Sequence, residues 1–407
     1  MMQTVKVEIR KGDVGFSLFR GGKPYVIKGA GLEFGSMDTL VSHGGNSIRN
    51  WRTENASEKL DEAQSLGITI SLCLELGSER HGFDYNDKQA VQDQFEKLRE
   101  EVIKFKDHPA LLSWIIGNEL NLDFSNSKVY EAVNDISRMI HELDPNHPTT
   151  TTVAGLNKEL VEIINSLAPD LDYLGVQLYG EIQLLPKLIK DTGWVKPFMV
   201  TEWGATGYWE VPLTKWGAPI EENSTVKGKN FYERYQQGIA PLKGQCLGSY
   251  VFLWGQKQER TPTWFGMFLS TGEVTACVDA MYTLWNDESP KIASPILQAI
   301  YLDAKSALDN IRLKSGMEYN ALAEVSVRDR EILKYFWEVK EETTDIKSGG
   351  DREEVPPTIE VMIADINNHS IKLRAPKTPG AYRLFFYAYD QRGHAAHANI
   401  PFYVDAQ

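Results

Sequence analysis

The chain has 407 residues, 42% hydrophobic and 24% charged, a globular balance that argues against disorder and allows one large domain with a smaller companion. A formal net charge of −13 argues against nucleic acid, anionic membranes and polyanionic substrates as partners, and neutral or cationic ligands suit it better. Three separated cysteines (Cys73, Cys246, Cys277) offer neither a disulfide framework nor a zinc site, and no apolar run approaches the ~20 residues of a membrane span.

The opening segment, up to residue 23, reads as a hairpin turning at Gly21-Gly22 that plugs the N-terminal end of a barrel. It has no apolar core of a signal peptide. From Pro24 to about Asp287, short apolar strands alternate with amphipathic helices. Eight strands are predicted, at 25–31, 46–51, 68–75, 111–119, 149–155, 171–179, 197–204 and 248–255. Several are near-continuous apolar or β-branched runs, as in parallel strands covered on both faces. Between them, helices are predicted from Ser57 to Gly67, from Asp87 to Lys106, from Val129 to Leu143 and from Lys158 to Leu167. The pattern predicts an α/β fold, a (β/α)8 TIM barrel over residues 24–290. From residue 291 to 407 the texture changes to seven short strand-like runs separated by Gly, Pro, Asn and Asp, which predicts an all-β sandwich of immunoglobulin type. His394 and His397, alternating with Ala there, read as strand surface.

Active sites of such barrels sit at the C-terminal strand ends. Those positions hold Glu33 after strand 1, Arg49 and Trp51 on strand 2, Glu75 on strand 3, and Asn118-Glu119 on strand 4. Tyr179 comes next on strand 6, Glu202 and Trp203 on strand 7, and Trp254 on strand 8. This rim has no His, no Cys pair and no Gly-rich phosphate loop, so metal, phosphoryl-transfer and dinucleotide chemistry lose support and no cofactor or metal is expected. Two carboxylates across a barrel mouth are what glycoside hydrolysis needs: one protonates the leaving oxygen, the other attacks the anomeric carbon. Arg49 can hold the attacking carboxylate charged, Tyr179 can orient it, and Asn118 can meet the sugar 2-hydroxyl. Glu33 and Glu75 divide evenly between substrate contact and structural pairing.

The stretches "WIIGNEL" and "MVTEWG" resemble the clan A retaining glycoside hydrolases, which carry Asn-Glu at the end of strand 4 and Glu at the end of strand 7. The resemblance covers the barrel and implies Glu119 as acid/base and Glu202 as nucleophile. "DPNHPTTTTVAG" and the hairpin are similar to the family 2 barrel, but the sandwich domains preceding it in that family are missing. A barrel followed by an immunoglobulin-like module is more similar to the family 158 endo-β-1,3-glucanases. The histidine that many clan members carry near the acid/base has no counterpart here. Six of the ten tryptophans lie between residues 194 and 264. Flat rings suit pyranose faces, which makes Trp203 and Trp254 cleft candidates, with Trp209, Trp216 and Trp264 as further subsites.

The expectation is thus a retaining hydrolase of β-linked polysaccharide or oligosaccharide, endo-acting on β-1,3-glucan, with no nucleic-acid partner. The rivals are an exo-acting galactosidase, mannosidase or glucuronidase, and a non-catalytic surface glycan-binding protein. The resemblance implies a periplasmic or extracellular location with the leader absent, or a cytoplasmic one if the chain is complete as it stands.

Overall fold

The computed structural model describes residues 4–326, 333–361, 363–364 and 366–406. It divides into two compact units, Met1–Gly204 with Arg234–Trp254, and Ala205–Glu233 with Gly255–Gln407.

The first unit opens with a three-stranded antiparallel sheet, β1 (Val7–Gly12), β2 (Gly15–Arg20) and β3 (Lys23–Pro24). The long hairpin turns at Asp13-Val14, and Gly21-Gly22 makes the second, shorter turn. Val7 and Leu18 join Ile27, Leu112, Met199 and Leu247 in one apolar cluster, so this sheet caps the end of the barrel where strands begin.

The barrel sheet comprises β4 (Ile27–Gly31), β5 (Ser47–Arg49), β6 (Thr69–Leu74), β7 (Leu111–Ile116), β8 (Thr149–Thr150), β9 (Thr152–Ala154), β10 (Leu174–Gln177), β11 (Phe198–Gly204) and β12 (Cys246–Phe252). All neighbours are parallel, in the order β8-β7-β6-β5-β4-β12-β11-β10-β9. The edge strands β8 and β9 are halves of one segment broken at Thr151. The Thr151 carbonyl accepts from Gly175 and its hydroxyl donates to Ile116 O (2.7 Å), so the sheet nearly closes as eight staves. Along the chain, the first unit also has α1 (Met37–Ser42), α2 (Ala56–Leu66), α3 (Lys88–Phe105), α4 (Lys128–Leu143), α5 (Lys158–Leu167) and α6 (Leu185–Thr192), while α7 (Ser224–Arg234), all but its last residue, and α8 (Ala276–Asn286) fall in the second unit. Their ends obey local chemistry. The Asp87 carboxylate caps α3 by accepting from Gln89 N and Ala90 N, and α2 stops at Gly67, whose φ of 72° few other residues tolerate.

Part of the barrel interior is polar. The Tyr250 hydroxyl meets Ser47 (2.9 Å) and Ser71 (2.7 Å), Ser113 donates to Ser71 (2.8 Å), and Tyr173 donates to Ser113 (2.8 Å). Hydroxyls are affordable there because each finds a partner. β4 makes room for the rings: a Cβ on Gly29 would stand 2.4 Å from Tyr250, and one on Gly31 would stand 2.7 Å from Trp51.

The second unit contains β13 (Ile296–Leu302), β14 (Arg312–Lys314), β15 (Glu318–Ser326), β16 (Lys334–Glu341), β17 (Ile363–Ala364), β18 (Ser370–Arg374), β19 (Gly380–Tyr389) and β20 (Ala395–Asp405). They form two four-stranded sheets, β13-β15-β18-β17 and β14-β20-β19-β16, that share one core including Leu373, Trp337, Phe386 and Phe402. β14 has too few residues to show a periodicity and has no counterpart among the predicted strands. Three of those, around 320–327, 332–339 and 358–365, run partly outside the described residues.

Residues 205–233 and 255–290, expected from sequence within the barrel domain, group with these sheets. A buried polar network holds them. Lys227 Nζ donates to Glu221 (2.6 Å), Thr263 O and Trp264 O, while Glu221 also accepts from Thr261, Thr263 and, on β20, Asn399. His397, read from sequence as strand surface, is 1% exposed inside β20, whose two faces are both covered. Burial and the nearby Lys227 cation push its pKa down to about 3.

Candidate active site

At the C-terminal ends of the barrel strands, one carboxylate gathers a ring of donors. Glu202, on β11 and 5% exposed, accepts through Oε1 from Arg49 Nη1 (2.8 Å), Trp51 Nε1 (2.8 Å) and Gln177 Nε2 (3.1 Å). Its Oε2 accepts from the Tyr179 hydroxyl (2.7 Å). A carboxylate has about four lone-pair positions and donates nothing when ionised, so four converging donors match its charged form. Arg49 is fully buried, and its charge would be costly there without this partner. Its Nη2 donates to Asn118 Oδ1 (2.9 Å), Nη1 also reaches Thr201 O (3.3 Å), and its guanidinium carbon lies 4.6 Å from the centre of the Trp51 ring.

Asn118 Oδ1 accepts three times, from Arg49, from Thr152 Oγ1 (3.0 Å) and from Gln177 Nε2 (2.9 Å). Three donors on one atom fix which end of the amide is oxygen, and they turn the Nδ2 donors to the opposite side. Glu119 is the next residue. Its backbone N–H donates to Thr152 Oγ1 (3.1 Å), so one threonine hydroxyl orders both residues of the Asn-Glu pair. The chain leaves β7 through Gly117 at φ 71°, where a Cβ would strike Leu120 at 2.7 Å. Glu119 itself has φ 49°, a left-handed conformation that non-glycine residues occupy sparingly and that clusters at functional sites.

The other residues singled out from sequence make different contacts. Glu33 pairs with Arg52 (2.9 Å), and Glu75 is exposed just past β6. Trp254 is enclosed and donates from its indole to Thr39 Oγ1 (3.0 Å) on α1, with its ring edge-on to His43. Trp203 is also enclosed, tilted against Tyr235 at 5.9 Å. Both rings, expected from sequence to present a face to the cleft, pack among protein neighbours instead. Trp209 and Trp264 belong to the second unit. There Trp209 is 57% exposed, while Trp264 is buried with its indole donating to Thr206 O (2.9 Å). Sequence reading overlooked Gln177 and Thr152 and gave Trp51 no role. For Gln177 a signal existed, a lone amide ending the apolar strand "YLGVQ" two residues before Tyr179. Among the described residues, no group of three His, Cys, Asp or Glu side chains is placed to hold a metal ion, and no helix is long and apolar enough to cross a membrane.

Residues 55–213 match the family model described as the TIM barrel domain of glycosyl hydrolases family 2. No curated protein sequence matches the chain. Among solved structures, it is similar to Bacteroides uniformis β-glucuronidase 2 covalently bound to cyclophellitol-6-carboxylate aziridine, at 14% identity and a TM-score of 0.54 over 98% of this chain and 48% of that one. Bifidobacterium dentium β-glucuronidase complexed with coumarin-3-O-glucuronide matches at 18% identity and 0.54, over 69% of this chain and 49% of that one. A family 5 mannosidase from Rhizomucor miehei matches at 13% identity and 0.50, over 69% of this chain and 97% of that one. The chain therefore spans about half the length of these β-glucuronidases, and likeness at such identities speaks to the fold. In fold and in the matched segment the barrel is similar to those of glycoside hydrolases, and glycosidase is the enzyme class these likenesses support.

Proposed function

We propose that the chain is a retaining β-glycoside hydrolase working by double displacement. The observation that carries this reading is the Glu202 carboxylate, held ready by Arg49, Trp51, Gln177 and Tyr179 beside an ordered Asn118-Glu119 pair. Glu202 attacks the anomeric carbon while Glu119 donates its proton to the leaving oxygen. Glu119 then takes a proton from water, which releases the sugar from the glycosyl ester with net retention. Asn118, its amide nitrogen turned away from Arg49, donates to the sugar 2-hydroxyl, a bond that strengthens in the transition state. A non-catalytic glycan-binding protein has no use for a carboxylate so encircled.

For specificity we propose endo action on β-1,3-glucan, supported by the resemblance to family 158, with a periplasmic or extracellular site of action. The domain limits 1–23, 24–290 and 291–407 and the immunoglobulin type of the C-terminal sheets belong to the same proposal. An exo-acting glycosidase is the rival reading. Glu119→Gln and Glu202→Gln should each lower kcat by about three orders of magnitude or more without loss of fold. NMR of the first anomer released should show the β form. Near-wild-type turnover by either variant, or an α product, would overturn the mechanism. Mixed lengths from an oligosaccharide ladder support endo cleavage, and single sugars support exo.

A further inference from the structure

β7 is bonded to its neighbour through the backbone at Trp114–Thr149 and Ile115–Thr150, and then the chain turns away through Gly117. From there side chains stitch it to the next stave, rung by rung. The Thr151 hydroxyl donates to Ile116 O (2.7 Å), and the Thr152 hydroxyl joins Asn118 Oδ1 to Glu119 N. Asn121 makes a further rung: its Nδ2 donates to Ala154 O (2.8 Å) and its Oδ1 accepts from Ala154 N (2.9 Å). The carboxamide thus takes the place of a peptide group, offering one donor and one acceptor to the backbone of a single residue. A paired bond of this kind fixes direction as well as distance.

Asn121 lies two residues beyond Glu119, inside the turn that Leu122 N closes on Glu119 O (2.9 Å). Leu120, between them, is buried. Glu119 sits at φ 49°, and a conformation so sparsely populated persists only where its surroundings over-determine it. The Thr152 bond holds this turn where it begins, and the Asn121 clamp holds it before it closes. Ala154 also connects the clamp to the second carboxylate. It pairs with Gln177 in the β9–β10 register, and Gln177 Nε2 reaches Glu202 Oε1 (3.1 Å). A continuous path therefore runs from the Glu119 segment to Glu202, and the spacing of two such carboxyl groups decides which glycosidic chemistry they can perform.

We propose that Asn121 is a positioning residue, whose carboxamide sets where Glu119 stands against the leaving oxygen and the attacking water. The proposal rests on the reading of Glu119 as acid/base. Its test compares phenyl and 2,4-dinitrophenyl β-glycosides of glucose, β-1,3-linked glucobiose, mannose and glucuronic acid, using the sugar that wild type cleaves fastest. A departing phenolate needs a proton, and 2,4-dinitrophenolate scarcely does. For Asn121→Ala, kcat/KM, which reports the first step alone, should therefore fall about 100-fold on the phenyl glycoside and less than about twofold on the dinitrophenyl one. On the latter kcat should still fall, because Glu119 must activate water, and KM should fall with it as glycosyl-enzyme accumulates. Asn121→Asp sets a carboxylate oxygen against Ala154 O until a proton restores the donor, so its activity relative to wild type should rise as pH drops through about 5. Thr151→Val, which removes a stitch farther from Glu119, should leave the ratio between the two substrates unchanged. Circular dichroism checks folding, and N121D serves for both readouts should N121A not fold. No loss, equal losses on the two leaving groups, the same selective loss in T151V, or an N121D activity ratio that ignores pH each overturns the proposal and leaves the hydrolase reading intact. Absence of wild-type turnover on every glycoside defeats both.

Discussion

Gln177 offers a sharp test of how the site works, because a single atom change there reverses an electrostatic contact. Its Nε2 lies 3.1 Å from Glu202 Oε1 and 2.9 Å from Asn118 Oδ1, a donor facing two acceptors. Gln177→Glu keeps the shape and places an anionic oxygen where the donor stood. Two unit charges about 3 Å apart repel by about 5 kcal/mol at an effective dielectric constant of about 20. That energy corresponds to roughly four pH units, divided between the two carboxyl groups, so the pair shares one proton across the neutral range. The acid limb of kcat/KM against pH should therefore move upward by about two units or more, with turnover partly recovered in alkali. Gln177→Ala removes one bond to a charged group, worth about 1.5–3 kcal/mol, and should lower kcat/KM by about 10–200-fold with little displacement of the limb. The assay is hydrolysis of an aryl β-glycoside across pH, with circular dichroism to check folding. A folded Q177E variant with the wild-type pH profile would refute the reasoning that Glu202 must be ionised to act.

Three further outcomes concern buried groups. His397 stays neutral in the folded chain down to about pH 3 but gains a proton near 6.5 when unfolded, so its contribution to stability falls as pH drops below 6.5. Glu221, held down to about 2 by Lys227 and its hydrogen bonds against the cost of burial, adds its own loss only below 4.5. Thermal unfolding of His397→Gln should lose the decline between pH 6.5 and 4.5 and keep the lower one; parallel wild-type and variant curves would contradict this. Arg49→Met should abolish activity and destabilise the fold by about 3–5 kcal/mol in urea titrations, because it strands Glu202 without its cation. Gly29→Ala must displace the Tyr250 ring and should cost about 1–3 kcal/mol or more, whereas Gly67→Ala, with open space around it, should cost about 1 kcal/mol from backbone strain; equal costs would undo the steric argument.

Much of the barrel was legible because its strands are apolar runs punctuated by capped helices, a local pattern. Arg49, Asn118, Tyr179 and Glu202 could be named because the fold type says which end of each strand matters. Gln177 and Thr152 were not, since an amide or hydroxyl near a strand end carries no signature until its partners are placed across the barrel. The hydroxyl chain through Tyr250, Ser71 and Ser113 is likewise a product of closure: residues from separate staves meet only once the sheet curls. The union of residues 205–233 with the C-terminal sheets depends on Glu221 and Asn399, 178 positions apart, which no local pattern reveals. His397 misled because alternation with Ala suggests one solvated face, while β20 has none.

The indole of Trp51 donates directly to the carboxylate proposed as nucleophile, so the site contains its own chromophore. Esterification of Glu202 would replace an anion at 2.8 Å by a neutral acyl oxygen, and the excited state of an indole responds to such a change in local field. Emission from Trp51, isolated by subtracting a W51F trace, would then rise and decay with the glycosyl-enzyme itself. Single turnovers could be timed on natural, unlabelled saccharides, with the protein supplying the light.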